Sequence, residues 1–231
     1  MAVLGALLWI CSALLCVGGQ LITAAAWEPP YSWYQDLVGH LGNTGCGLFI
    51  EPHGGPEFVC SPLHPLMNTT LVLAGLCLIG GTLLLRGLWP QGWAGSASFA
   101  LMLATGALEA LTGLVPENIN RTGHALAALN LPVGGIAIFL VSLAVVDWAR
   151  WIGVFGCLAG GLAVTASMLF TAGQYSAQVL HFGLGPGGME RLAGYPFQLW
   201  LLVIGLILCT GPGRAGCRAC SRSDAADRRA A

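Results

Sequence analysis

PLMNTTLVLAGLCLIGGTLLLRGLW, residues 65 to 89, decides the fold. From Thr69 to Leu85 it carries no charged side chain. It is apolar on every face, and it is long enough for the ~20 residues that a helix needs to cross a bilayer. Inside hydrocarbon the backbone groups must pair within the segment, so the run is read as a transmembrane helix over Pro65–Leu88. Arg86 and Trp89 close it with the residue types that favour a membrane interface.

Five further runs of the same kind flank this one: Val3–Ala26, Ala94–Val115, His124–Val146, Ile152–Ala172 and Leu192–Thr210, the last being the shortest. Composition agrees. Of 231 residues 56% are hydrophobic and only 8% charged, against roughly 25% charged in a soluble domain. The expected fold class is therefore all-α, a six-span transmembrane helical bundle. It forms one domain over 1–211, with a long loop over 27–64 and a polar, disordered tail over 212–231. A net charge of −1, with no basic patch outside the tail, argues against nucleic acid. The expected partner is the lipid bilayer.

The basic residues fix an expected orientation. With alternating spans, Arg86, Arg150, Arg214, Arg218, Arg222, Arg228 and Arg229 fall on one side, and Arg121 and Arg191 on the other. The positive-inside rule then places both termini in the cytoplasm, in a multi-pass protein of the cytoplasmic membrane. Trp89, Trp93, Trp148 and Trp151 mark the inner interface; Trp27 and Trp33 mark the outer one. LITAAAW (Leu21–Trp27) also fits a signal-peptide cleavage pattern. The run from Val3 is longer than an ordinary h-region and no positive n-region precedes it, so the first span is read as retained.

Polar side chains gather at the outer ends of the spans. His40, His53, His64, His124 and His181 all fall there, with Glu28, Asp36, Glu51, Glu57, Glu117 and Glu190. Glu109 and Asn130 lie about two turns inside, and Asn68 about one. Polar groups in lipid are costly and face a cavity or one another. An outward-facing polar pocket is the expectation, from Asp36, His40, Asn43, His64, Asn68, Glu109, Glu117, His124, Asn130, His181, Glu190 and Arg191. If Tyr34–Asn43 is helical, Asp36, His40 and Asn43 share one face. His64 with Asn68, and Gln174, Gln178 and His181, repeat that spacing. Arg121, Arg191 and His124 are the expected partners of Glu109.

No cofactor is expected. Zinc would suit His40, His64, His124 or His181 with Asp36 or Glu117, but no HExxH or HxH spacing supports it, and Cys217–Cys220 is a CxxC without a second pair. Cys46 and Cys60 lie in the outer loop, where an oxidising exterior allows a disulfide. Gly75, Gly80, Gly81, Gly156 and Gly160 are read as close-packing positions, and Pro132 as a kink in the fourth span.

Four ordered blocks carry a family resemblance: YQDLVGHLGNTGCG (34–47), CSPLHPLMNTTLVLAGLCLIGG (60–81), GLVPENINRTGHALAALNLPVGGIAIFLVSLA (113–144) and GGMERLAGYPFQLWLLVIGLIL (187–208). They resemble the bacterial membrane family called domain of unknown function nine-nine-eight. The resemblance implies a multi-span protein and transfers no catalytic residue. The sequence thus points to a membrane protein that binds or senses a lipid, small-molecule or envelope component. A metal-dependent lipid hydrolase at the outer leaflet and a proton-coupled transporter using Glu109 are the alternatives.

Overall fold

The computed structural model describes residues 1–28, 30–50, 56–176 and 178–211. Glu51, His53 and the tail, with its arginines and Cys217–Cys220, lie outside the described residues. Six helical spans are long and apolar enough to cross a membrane. They are α1 (Ala2–Ala25), α2 (His64–Leu84), α3 (Trp93–Leu114), a broken pair α4 (Arg121–Ala127) and α5 (Asn130–Val145), α6 (Arg150–Tyr175) and α7 (Gly185–Thr210).

The break in the fourth span lies at Ala128–Leu129, one turn before Pro132. Proline has no N–H to return to the carbonyl four residues back, which is that of Ala128, and its ring crowds that carbonyl. Ala128 instead accepts a tighter bond from Leu131 at 3.2 Å. The last span begins seven residues earlier than its hydropathy suggests. Pro186 falls in the first turn, where the missing N–H costs nothing. Glu190 and Arg191 therefore stand on a span rather than in a loop.

Neighbours in the bundle follow chain order, and α7 packs back on α1, so the spans close into a ring. Small residues set the approach. At Gly75 of α2 an added Cβ would lie 2.6 Å from the Ala110 backbone nitrogen of α3 and closer still to the Gly106 carbonyl. Gly160 meets Gly135 and Phe139 of α5 in the same way. Such contacts supply the dispersion that holds helices together where lipid removes the hydrophobic drive.

The two ends of the ring differ inside. Toward the end where α1 begins and α7 stops, Trp9, Leu78, Met102, Ile138, Trp200 and Leu201 fill the interior. Trp9 donates to Thr82 Oγ1 at 3.2 Å. The other end, which carries the long loop, holds the buried charged, histidine and amide side chains and is covered by residues 30–50 and 56–63 of that loop.

The loop also contains a hairpin that the all-α expectation omits. β1 (Gly47–Ile50) pairs antiparallel with β2 (Pro56–Val59), and Gly47 faces Val59. Cys46 and Cys60 form the next rung and are joined by a disulfide. Val59 is buried and Phe49 partly so, whereas Leu48, Ile50 and Phe58 face outward. Closing a loop of 14 residues is worth about 3 kcal/mol in the chain-entropy account. A Cys46→Ser, Cys60→Ser protein should unfold at a lower temperature than the oxidised wild type and no longer respond to reductant; equal midpoints would show that the hairpin docks without its staple.

Candidate functional site

The stretch 31–44 is not the continuous helix that would align Asp36, His40 and Asn43. It is a turn followed by one turn of 3-10 helix at Gly39–Gly42. Two glycines in four residues weaken an α-helix, and Asp36 makes a competing local bond: its carboxylate accepts the Ser32 N–H at 2.6 Å. The three side chains diverge. His40 is buried edge-on to Phe49 at 5.1 Å. Asn43 Oδ1 accepts the Asn118 N–H at 3.3 Å, while Thr44 N donates to Asn118 Oδ1 at 3.1 Å.

Arg191 holds this stretch down. Its Nη1 donates to the carbonyls of Gly187 at 2.8 Å, Trp33 at 3.2 Å and Asp36 at 3.2 Å. Its Nη2 donates to the Tyr31 hydroxyl, and the guanidinium lies 4.7 Å from the Trp33 ring centroid. Tyr31 in turn shares its proton between the carbonyls of Asp36 at 2.8 Å and Leu37 at 2.9 Å. Burial pushes the Tyr31 phenol well above its ordinary pKa, an effect the Arg191 charge only partly offsets, so Tyr31 stays neutral and keeps its proton to donate. Among the described residues Arg191 makes no carboxylate ion pair, and its Nε has no hydrogen-bond partner.

The glycine-rich entry to α7 explains how the loop comes so close. The Tyr34 carbonyl accepts the Gly187 N–H at 3.1 Å, capping the helix start. Gly185 has φ +66 and touches that same carbonyl, so a side chain there is excluded on both counts.

Beneath the loop, a hydrogen-bonded belt crosses three spans. The Tyr195 hydroxyl donates to Gln20 Oε1 at 3.0 Å, and Gln20 Nε2 reaches Cys16 Sγ at 3.6 Å. Cys16 lies beside the Glu109 carboxyl, which accepts Gln198 Nε2 at 3.3 Å. Glu109 is 2% exposed, and its neighbours are these neutral groups rather than the expected Arg121, Arg191 or His124. Gln198 Oε1 is buried without a partner.

A cavity of about 80 Å3 lies between belt and loop. Of the expected residues, Asn68, Glu109, His124, Asn130, Glu190 and Arg191 line it. Glu190 Oε2 accepts the Val38 N–H at 2.6 Å, and Asn68 Nδ2 donates to the Gly42 carbonyl at 2.9 Å. Asp36, His40, Asn43, His64, Glu117 and His181 do not line it. His64 sits one helical turn from Asn68 as its spacing requires, yet its ring turns to the Ser61 carbonyl at 2.9 Å. Glu117 meets Arg121 at 3.7 Å. His181 stands on a separate 3-10 turn after α6 has ended, stacked on Phe170. His124 Nδ1 contacts the Val115 carbonyl at 2.8 Å. Among the described residues no three of His, Cys, Asp or Glu group closely enough to hold a metal ion. The cavity also takes in Gln20, Tyr195 and Gln198, which the sequence reading omits. A neutral amide or phenol in the middle of an apolar run was the signal available.

A second, larger space lies outside the ring. α7 is recessed between α1 and α6, leaving an apolar groove of about 880 Å3. Arg191, Tyr195 and Gln198 line both spaces and form the wall between them.

A family model described as a protein of unknown function (DUF998) matches residues 10–207. No curated protein and no solved structure matches the chain.

Proposed function

We propose, from the premise that the chain belongs to the DUF998 family, that this membrane protein binds or senses an amphipathic membrane component at the cavity under its long loop. The observation that carries the reading is the convergence there of polar side chains from α1, α2, α3, α5 and α7, two of which, Gln198 and Arg191, keep an unpartnered buried polar atom. Buried polar groups are nearly always paired, so a site that leaves two incomplete in one wall is suited to a polar guest. At 10–15 Å3 per water centre, about 80 Å3 has room for roughly five waters or a small polar head. Binding is favoured over metal-dependent hydrolysis because the histidines stand apart: among the described residues His124 lines the cavity, while His40, His64 and His181 do not.

The test fills the cavity. Ala128 and Thr112 line it and are half-buried. Ala128→Phe, and separately Thr112→Phe, should lose any amphiphile that mass spectrometry finds retained by the purified wild type. Retention by both variants, each monodisperse, would remove the cavity as the site.

The loop end is proposed to face the exterior, with both termini in the cytoplasm. Arg86 and Arg150 stand at the end where α1 begins and α7 stops, which fits the positive-inside rule, and a disulfide at the other end fits an oxidising compartment. A reporter active only after export should be silent when fused after residue 211; activity there would invert the orientation.

A further inference from the structure

The groove over α7 has an apolar body and a single charged residue at its head. Its walls are Leu14 and Val17 of α1 and Leu158 and Leu162 of α6; Leu199 and Leu202 lie on its floor. These are lipid-facing positions of spanning helices, so the groove opens sideways into hydrocarbon. Arg191 is the sole charged residue lining it among the described residues. Glu190, next to it in the chain, and Glu109 line the inner cavity and not the groove, and Asp36, whose carbonyl Arg191 holds, lines neither.

Length places Arg191 near the membrane surface. A helix of 26 residues is about 39 Å long, some ~9 Å more than the hydrocarbon core. Arg191 stands about 9 Å along α7 from Gly185 at 1.5 Å per residue. When the far end of α7 meets one hydrocarbon border, Arg191 lies at the other, where phospholipid heads are. Arg191 is 7% exposed, and its guanidinium is hydrogen-bonded to carbonyls and a phenol rather than to a carboxylate; Glu190, which feels its charge, lies on the cavity side, so an anion at the groove head meets a positive group with no acid beside it in the groove.

We infer that the groove seats one bilayer phospholipid with an anionic head: its chain lies between α1 and α6, and its phosphate sits at Arg191, the top of the wall that Tyr195 and Gln198 continue inward. This deepens the preceding proposal and rests on it, since that wall is shared with the cavity. It adds a sideways route from the bilayer and a charge preference.

Spin-labelled phosphatidylglycerol and phosphatidylcholine with the same chains, in vesicles holding the full-length protein, test it. One arginine near a membrane surface favours an anionic lipid by about 1 kcal/mol, so the wild type should hold the phosphatidylglycerol label about fivefold more than the phosphatidylcholine label. Leu14→Trp with Leu158→Trp fills the groove from residues that are 58% and 71% exposed, and it should abolish the preference. Leu76→Trp, on the exposed face of α2, should leave it unchanged. Absence of a preference in the wild type overturns the inference, as does its survival in the filled groove. Loss of preference together with a change from dimer to monomer would instead make the groove an interface between two copies and overturn it too. If the cavity variants lose their amphiphile while the groove variants keep the phosphatidylglycerol preference, the cavity reading stands and the groove assignment falls.

Discussion

Arg191→Gln should destabilise the protein by roughly 3–5 kcal/mol and release residues 31–38 from the bundle. The side chain makes four hydrogen bonds, three of them to carbonyls of Trp33, Asp36 and Gly187 and one to Tyr31. Bonds from a charged donor contribute about 1.5–3 kcal/mol each, and a lost donor leaves its buried acceptors unsatisfied. Glutamine offers one short amide in place of a planar fork. Arg191→Lys should recover under half of the loss, because an ammonium cannot span carbonyls set around a guanidinium plane. Thermal unfolding in detergent gives the stability, and hydrogen exchange over 31–38 gives the local release. An unchanged midpoint with unchanged exchange would mean that the Glu190–Val38 and Asn68–Gly42 bonds hold the stretch without help.

The second large effect is one of opposite signs at two glycines of the same helix. Gly75→Ala drives a methyl into the backbone of α3, with 2.6 Å to the Ala110 nitrogen, and backbone cannot rotate aside. The cost should be about 1–3 kcal/mol, enough to lower the yield of monodisperse protein. Gly80→Ala meets only the flexible end of Leu8 at 3.3 Å. It should be neutral or stabilising by up to about 1 kcal/mol, since alanine loses less backbone freedom in a helix. Equal midpoints for the two variants would show that α2 and α3 separate more readily than their contact suggests.

The spans were legible because hydropathy reports on solvent, and lipid is the solvent of most of this surface. The disulfide was legible because topology put Cys46 and Cys60 together on one side. The hairpin was not: GLFI and PEFV are four-residue strands that open with glycine and proline, too short for a period to register. Half of the expected polar residues reach the cavity, and those that do are mostly on spans, where helical geometry fixes direction. Asp36, His40 and Asn43 miss it because glycines and a local carboxylate bond set the course of their loop. Gln20 and Gln198 were invisible to a search for charge, since a lone amide hardly lowers the hydropathy of a long apolar run, although burying it in lipid demands a partner just the same.

The ring closed by α1 and α7 also sets an order in time. The amide of Gln20 is answered by Tyr195, 175 residues later, and the carboxyl of Glu109 by Gln198, 89 residues later. At roughly 5–20 residues per second of synthesis, the first span crosses the membrane about 9–35 s before its final partner exists. Until α7 emerges, the ribosome has delivered a bundle whose polar belt is open.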